Sequence, residues 1–465
     1  LNDLDEHLLT IFKKHHLAGL TVGILVNGQV VHSKCLGMAD LRSRSEVCEY
    51  TTFRIGSISK TFTAVALMQL WERGLLHLES PVNDFLKAYK IVQPPLTPPI
   101  TFRHLLTHTS GIGELRRWTD LFRPTLGLTI SLRRPSTLRE YYAPALRAEL
   151  PPGSKWAYSN HGFTTLGQVI EDVSGQPFAE YMLEHVFAPL GMMHTDFQMS
   201  WRVTPRFAQG YEYVRRTLRN IANSHIVIAP AVAAVSNLED MLLYLAAMAG
   251  NGANRYGRVI DAETLELMST PHYVCDPRMP SNGLGFMIET RGDRLIFGHD
   301  LGWPGYSGSI RVAPQVRAAV VVLTNTAVMA SGFATITIAN EVVGRLVDDR
   351  FPDSVEVSES PDLWAQLCGS YRPERGFYTN LRIWRLLGGR ADIVIRDGHL
   401  EMRTPLGPSK TGMLLRSADQ HDPLLFRGHL NGLDIWVLFR RNKSGVVVSL
   451  SVSSTAICLN LYKKL

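Results

Sequence analysis

Cysteine is scarce and poorly spaced for bridging: Cys35, Cys48, Cys275, Cys368 and Cys458 form an odd set without a C-x-x-C pair in 465 residues. They do not read as a disulfide framework or a zinc site, and they fix no redox compartment. No H-E-x-x-H motif occurs. His104 and His108 stand four apart, as two ligands on a helical turn would, but no third ligand is evident, so neither a metal nor any other cofactor is expected. Blocks of like charge are also missing, since 48 basic and 42 acidic residues are spread over the whole length. The arginine doublets Arg116-Arg117, Arg133-Arg134 and Arg215-Arg216 carry no recognition motif and read as solvated faces, which argues against a nucleic-acid partner. One uncharged stretch, Ala318 to Asn340, has the length of a bilayer span. Its Thr324, Asn325, Thr326, Ser331 and Gly332 break the apolar run, and Val320 to Leu323 reads as a buried strand, so no integral membrane span is expected. Repeats and low-complexity tracts are absent. The chain opens at Leu1 rather than Met, as a trimmed, processed or cloned start would, so a signal peptide is neither seen nor ruled out.

What is present is the composition of a compact protein, 45% apolar and 19% charged, long enough for two or three domains. Apolar spacing predicts a helix over 3–15, and alternation around Asn27-Gly28 predicts a hairpin over Thr21 to Gly37. A mostly buried helix runs from Ser57 to Arg73 and stops at Gly74. Gly111 to Pro152, with a weak helical signal over Ser136 to Leu150, reads as a lid or wall. Helical patterning returns over Gly162 to Leu190 and Asn237 to Met248. Strands follow at Gly285 to Glu289, Arg294 to Gly298, Ser309 to Val312 and Ala318 to Leu323. The fold class is therefore α+β, with one antiparallel sheet built from both ends of residues 1–349, flanking helices and a helical region over about 75–250. Residues 350–362 read as a linker. Short runs at Leu381 to Leu386, Ala391 to Ile395, Leu400 to Met402, Leu424 to Arg427, Asp434 to Arg440 and Gly445 to Val452 make 363–465 an antiparallel barrel or sandwich.

Three motifs carry chemistry. Ser57-Ile58-Ser59-Lys60 puts an amine three residues after a hydroxyl, on one helical face. To act as base that amine must be neutral, so burial or nearby positive charge has to lower its pKa from about 10.4. Tyr158-Ser159-Asn160 offers a phenol to relay protons and an amide to hold a carbonyl or the lysine. His299-Asp300-Leu301-Gly302-Trp303 follows a strand. Its imidazole supplies a donor opposite the serine, and the N–H near Gly302 completes an oxyanion hole with that of Ser57. Ser307, in an incomplete G-x-S-x-G, reads as a turn serine. His15, His16, His161 and His194 read as surface or helix-packing residues. Trp156, Trp303 and Tyr306 line a pocket or simply pack.

In this order and at these separations the motifs resemble the S-x-x-K, Y-x-N and H-x-G elements of the β-lactamase-related serine hydrolases. That family includes class C β-lactamases, D,D-carboxypeptidases, D-aminopeptidases and family VIII carboxylesterases. Thr52-Phe53-Arg54-Ile55-Gly56, Leu105-Leu106-Thr107-His108-Thr109-Ser110-Gly111 and Leu190-Gly191-Met192 add to the likeness, which covers roughly residues 5–348. The resemblance implies a β-lactamase/transpeptidase-like fold and acylation of Ser57, with Lys60 and Tyr158 sharing proton transfers. It also implies substrate contacts from Asn160, His299, Leu301 and Trp303 and an oxyanion hole at Ser57 and Gly302. The substrate would be a small ester or peptide-type amide, and the C-terminal part would be a lipocalin-like barrel that covers the cleft or holds a homo-oligomer together. A periplasmic or secreted setting is slightly favoured over a cytoplasmic one. An acyl transferase or peptide cyclase on the same scaffold, and a catalytically silent ligand-binding protein, are the alternatives. Two departures matter. Leu301 stands where the family has Gly and narrows the acyl space, and Val232-Ala233 replaces a Gly-Gly near Ser236. Both argue against efficient β-lactam turnover and for a slim acyl group.

Overall fold

The computed structural model describes residues 3–123, 128–130, 137–223, 225–291, 293–327, 333–347, 361–373, 389–405, 408–419, 421–430, 433–454 and 457–464. The expected strand at Leu381 to Leu386, the Arg133-Arg134 doublet and residues 350–360 of the expected linker lie outside them. Residues 361 and 362 open a helix, Pro361–Leu367.

Asn27 and Gly28 have φ of 51° and 76°, the left-handed pair that a two-residue hairpin turn requires. Helix α1 (Leu4–Lys14) therefore leads into β1 (Gly19–Val26), β2 (Gln29–Asp40) and a short β3 (Ser45–Glu46). Helices α2 (Ser59–Glu72), α3 (Asn160–Ser174) and α4 (Leu238–Ala249) fill the middle of the chain. Then come β4 (Ser281–Asn282), β5 (Met287–Arg291), β6 (Arg294–Trp303), β7 (Tyr306–Ala313), β8 (Ala318–Thr324) and helix α5 (Ala334–Leu346). One antiparallel sheet results, in the order β4-β5-β6-β7-β8-β1-β2-β3. The two ends of this half of the chain meet where β1 pairs with β8, Leu20 opposite Thr324 and Val26 opposite Ala318.

The two-residue period of these strands sorts their side chains into two cores. Leu20, Val22, Ile24, Val320 and Val322 pack with Leu4, Leu8, Ile338 and Val342 of α1 and α5. Val321 and Leu323 point the other way, into the core that holds α2 and α4. Gly23 admits α4 closely, since a Cβ there would lie 2.8 Å from Leu238 Cδ1. Every residue from Ser59 to Leu70 is buried, so α2 is enclosed on all sides and anything polar on it must find a partner inside the protein.

Some expectations are corrected. The His299 motif lies within β6 and not after a strand, because the ladder to β7 continues to Trp303 opposite Tyr306. Ser307 is a buried strand residue on β7 whose Oγ donates to the Thr326 carbonyl (2.8 Å), not a turn serine. The weak signal over Ser136 to Leu150 yields only the helix Leu138–Tyr142 and a two-residue strand at Leu146–Arg147. Arg116 is not solvated: it pairs with Asp120 (3.4 Å) and stacks on Tyr141. Cys275 is disulfide-bonded, whereas Cys35, Cys48 and Cys368 are free. No described helix is long and apolar enough to cross a membrane.

The C-terminal strands β9 (Gly369–Arg372), β10 (Ala391–Arg396), β11 (His399–Arg403), β12 (Met413–Ser417), β13 (Leu425–Leu430), β14 (Leu433–Arg441), β15 (Val447–Ser454) and β16 (Ile457–Lys463) form a closed barrel. Tyr371 opposite Lys463 closes it. Ile393, Leu400, Met402, Phe426, Phe439 and Leu450 are among the side chains of its core. The barrel docks on residues 275–280. Arg278 reaches Asp419 (2.8 Å) and Asp422 (2.9 Å) as well as its neighbour Asp276, Arg440 donates to the Cys275 carbonyl, and Met279 is buried with Leu425 and Leu438.

On the sheet, Asp300 of β6 and Arg311 of β7 form a buried ion pair at 2.8 Å. Ser309 Oγ donates to the carboxylate, and Arg311 Nε donates to Asn340 on α5. This pair ties the strand carrying His299 to its neighbour. Asp300→Ala leaves a guanidinium buried without its counter-charge and is expected to lower stability by roughly 3–5 kcal/mol in chemical denaturation. A change below about 1 kcal/mol would show that the pair does not anchor β6.

Candidate active site

Ser57 sits in a single 3₁₀ turn, Gly56–Ile58, that runs into α2. The turn leaves the serine half-buried while the residues around it are enclosed. One turn on, Lys60 has no exposed surface. Its Nζ lies 3.2 Å from Ser57 Oγ and donates to Asn160 Oδ1 (2.7 Å) and to the Ala231 carbonyl (3.0 Å). Burial lowers its pKa to about 7, although the nearby Glu114 carboxyl acts the other way. Tyr158 donates its phenol proton to the same serine oxygen at 2.9 Å. Burial pushes that phenol far above its ordinary range, so it stays protonated. A hydroxyl and an amine three residues apart, and a phenol 101 residues after the hydroxyl, thus share one hydrogen-bonded cluster.

Asn160 is the first residue of α3. Its backbone N–H and its Nδ2 donate to the two oxygens of Glu114, at 2.8 Å and 3.0 Å. Burial raises the Glu114 carboxyl, and the two bonds from Asn160 partly offset this. His108 accepts the Ser159 N–H at Nδ1 (3.1 Å), and its ring lies 4.3 Å from that of Tyr158. His161 donates from Nε2 to the Glu114 carbonyl and meets the Tyr142 hydroxyl at Nδ1. Burial holds His108 well below the usual imidazole range and brings His161 down to about 4, so both rings are neutral. The described part of the 111–152 stretch is therefore a wall of the site, held by Ile112, Glu114, Tyr141 and Tyr142.

His299 does not supply the donor expected of it. Its Nδ1 lies 2.7 Å from the Asp300 carbonyl, which can only accept, so the ring proton is there. Burial, reinforced by Lys60, pushes the imidazole down to about 4. The neutral ring presents its other nitrogen, Nε2, as an acceptor. Gly302 is exposed near the end of β6, while Leu301 is 1% exposed and Trp303 is buried. Leu301 does not stand in the open cleft but fills the space left by two glycines: a Cβ on Gly56 would lie 2.1 Å from Leu301 Cδ1, and one on Gly308 would lie 3.1 Å from Leu301 Cδ2. Its influence on the cleft passes through Gly56, the residue before the serine. Val232, Ala233, Trp156 and Tyr306 are buried packing residues, and Tyr306 donates to the Ala208 carbonyl. His104 belongs to the capping of the helix Phe102–Leu106.

Sequence reasoning missed Glu114, the Ala231 carbonyl and the part His108 plays beneath Tyr158. Glu114 left a signal, as the one acidic residue between Arg103 and Arg116 in an otherwise uncharged stretch. A main-chain acceptor such as Ala231 leaves none.

The sequence profile of the Beta-lactamase family matches residues 3–343. The putative penicillin-binding protein PbpX of Bacillus subtilis (strain 168) is 29% identical over 210 residues, 45% of this chain and 49% of that protein. Protein flp of Staphylococcus aureus (strain MW2) is 25% identical over 329 residues, 70% of this chain and 64% of that protein. The chain thus spans about half to two thirds of the length of these relatives. Among solved structures, the octameric penicillin-binding protein homologue from Pyrococcus abyssi superposes with a TM-score of 0.66 at 23% identity and covers 99% of both chains, so the shared fold extends through the barrel.

Gly56 has a φ of 42° and carries Leu301 against it. Gly56→Ala should cost roughly 1–3 kcal/mol in chemical denaturation, and adding Leu301→Ala should return part of it. Strictly additive costs in that double-mutant cycle would mean that Leu301 does not seat on the nucleophile turn.

Proposed function

The chain belongs to the β-lactamase family, and on that footing we propose that it is a serine acyl hydrolase that forms an acyl-enzyme at Ser57 from an ester or a peptide-type amide. One observation carries the reading. Of the three neighbours of the Lys60 amine, Asn160 Oδ1 and the Ala231 carbonyl can only accept hydrogen bonds, whereas Ser57 Oγ–H can donate. A neutral amine has two N–H bonds and one lone pair. The two oxygens take the two N–H bonds, and the lone pair is left for the serine proton.

Lys60 then acts as general base. It takes the proton as Ser57 Oγ bonds to the substrate carbonyl carbon, and the N–H groups of Ser57 and Gly302 receive the oxyanion. Collapse expels an alcohol or amine, which picks up the proton held on Lys60, with the Tyr158 hydroxyl as the bridge beside the serine oxygen. Water then adds to the acyl carbon and gives a proton to Lys60; the bond from that carbon to Ser57 Oγ breaks, Lys60 returns the proton to Oγ, and the carboxylic acid product leaves.

The neutral His299, with an acceptor at Nε2, bears on substrate choice. It offers no ion pair to a substrate carboxylate and suits a substrate with a hydrogen-bond donor, such as an amide N–H or a hydroxyl, at that place. This favours neutral esters and peptide amides over β-lactams bearing a carboxylate. A homo-oligomer, as named for the Pyrococcus abyssi protein, is part of the proposal for this chain and is read by light scattering.

A fluorophosphonate probe should add its mass to the peptide containing Ser57 and leave Ser57→Ala unlabelled; a wild-type protein that takes up no probe would overturn the reading. A panel of p-nitrophenyl esters, D-aminoacyl anilides and nitrocefin then ranks substrates, with nitrocefin expected last. Protonated Lys60 has no lone pair, so kcat/KM should rise with pH through about 7, where Lys60 loses its proton. Tyr158 should add no basic limb in the ordinary working range, because its phenol is held protonated. Lys60→Ala should lower kcat/KM by roughly 10²–10⁴.

A further inference from the structure

We infer that Glu114 is a positioning residue for the acylation step: by accepting from Asn160 at both carboxylate oxygens, it fixes which end of the Asn160 amide faces Lys60. The inference rests on the acyl-enzyme reading above and adds a group that touches neither the substrate nor Ser57.

The carboxylate is delivered by a bend that the chain makes tightly. Gly111, at a φ of 77°, lies so close to Leu150 that a Cβ would sit 2.1 Å from its carbonyl oxygen. Glu149 donates to the Gly111 carbonyl (2.8 Å), Ile112 bridges to Ala148, and Gly153 and Ala157 donate to Thr109 and His108. His161 then holds the Glu114 carbonyl. The bend is thus laced to residues 148–161 on several sides, and the Glu114 side chain, 6% exposed, is left facing Asn160.

An amide is ambiguous until its neighbours decide it, because oxygen and nitrogen have nearly the same shape. On one side of Asn160 stands a carboxylate, which only accepts. That side must take Nδ2, and Oδ1 is then turned to Lys60, where it accepts an Nζ–H at 2.7 Å. The order of polarity is acceptor, donor, acceptor, donor from Glu114 through Asn160 to Lys60. In Glu114→Gln, the new side chain can still accept the Asn160 backbone N–H, but its NH₂ then meets Asn160 Nδ2, donor against donor. Turning the Asn160 amide relieves that conflict and aims Nδ2 at Lys60. An ammonium loses both an acceptor and a nearby negative charge, so the neutral amine is favoured.

The ionisable groups around this chain do not blur the readout. Tyr158, His108 and His299 face Lys60, and Tyr141, Tyr158 and His161 surround Glu114. Burial keeps the phenols protonated and the three imidazoles neutral at ordinary pH. Glu114 also caps the N-terminal end of α3 through the Asn160 N–H, so a lower stability would be moved equally by a purely structural role.

The test is the rate at which a fluorophosphonate probe labels Ser57, measured across pH on the full chain, with thermal unfolding followed in parallel. For Glu114→Gln the acid limb should move to lower pH by about one unit. For the swap Glu114→Gln with Asn160→Asp, every donor again meets an acceptor, but the carboxylate now faces Lys60 directly, so the limb should move above wild type by about one unit. Opposite shifts support the inference. Limbs that stay at the wild-type pH in both proteins, with only the unfolding temperature lowered, overturn it and leave Glu114 as a helix cap. If Glu114→Gln does not fold, the swap is read alone by the same criterion; collapse of both counts against the inference, because the swap restores each hydrogen bond. Failure of the wild-type protein to label at Ser57 would instead remove the acyl-enzyme reading itself.

Discussion

An amine with no exposed surface, placed beneath a serine hydroxyl, is the constraint from which most of this molecule follows. Withdrawing a lysine head group from water costs several kcal/mol unless it is neutralised and hydrogen-bonded. The structure does both: enclosure in α2 pushes the amine toward its neutral form, and two acceptors from elsewhere in the chain receive its N–H bonds. Those acceptors belong to the start of α3 and to the short helix Ala229–Val232. The segments can satisfy Lys60 only when all three have docked. The cluster at Ser57 is therefore complete only when these segments are packed together, with the sheet supplying the wall at β6.

Burial also silences the surroundings. His108, His161 and His299 each have one ring nitrogen committed to a backbone group, and all three are held neutral. Tyr158 and Tyr141 keep their protons. Lys60, brought down to about 7, is the group in the cluster left near the point of changing charge, and Asn160 stands between it and the Glu114 carboxyl, which burial raises. Desolvation, more than any single ion pair, sets the charge state of each of these groups.

Much of this was legible in the sequence wherever a short-range rule governs the structure. The Asn27-Gly28 turn, the enclosed helix after Ser57 and the strands drawn from both ends follow from turn chemistry and periodicity, and S-x-x-K with Y-x-N named the three groups that meet at the serine oxygen. What escaped depends on relations that no local pattern encodes. The proton on His299 is placed by the next residue's carbonyl, and the side of β6 that Leu301 occupies is set by its ladder with β7. The Ala231 carbonyl belongs to the main chain and has no residue signature. Glu114 was visible only as a carboxylate in an apolar setting, and its meaning comes from Asn160, forty-six residues later. In the barrel, the strands Met413–Ser417 and Ile457–Lys463 were not recognised, and closure depends on them.

Arg278 gives the two halves of the chain a shared fate. It stands in the segment before β4, yet two of its three carboxylate partners, Asp419 and Asp422, come from the loop between β12 and β13 of the barrel. A few residues before Tyr158, Lys155 meets the ring and hydroxyl of Tyr462 on the last barrel strand. Modularity in the order of the domains thus stops at their surfaces. A recombinant in which this barrel is exchanged for one of similar fold inherits a guanidinium cut to match a particular pair of acids, and a lysine near the site matched to a particular phenol. Compatibility between the halves thus rests on a handful of surface side chains together with the buried contact of Met279 with Leu425 and Leu438.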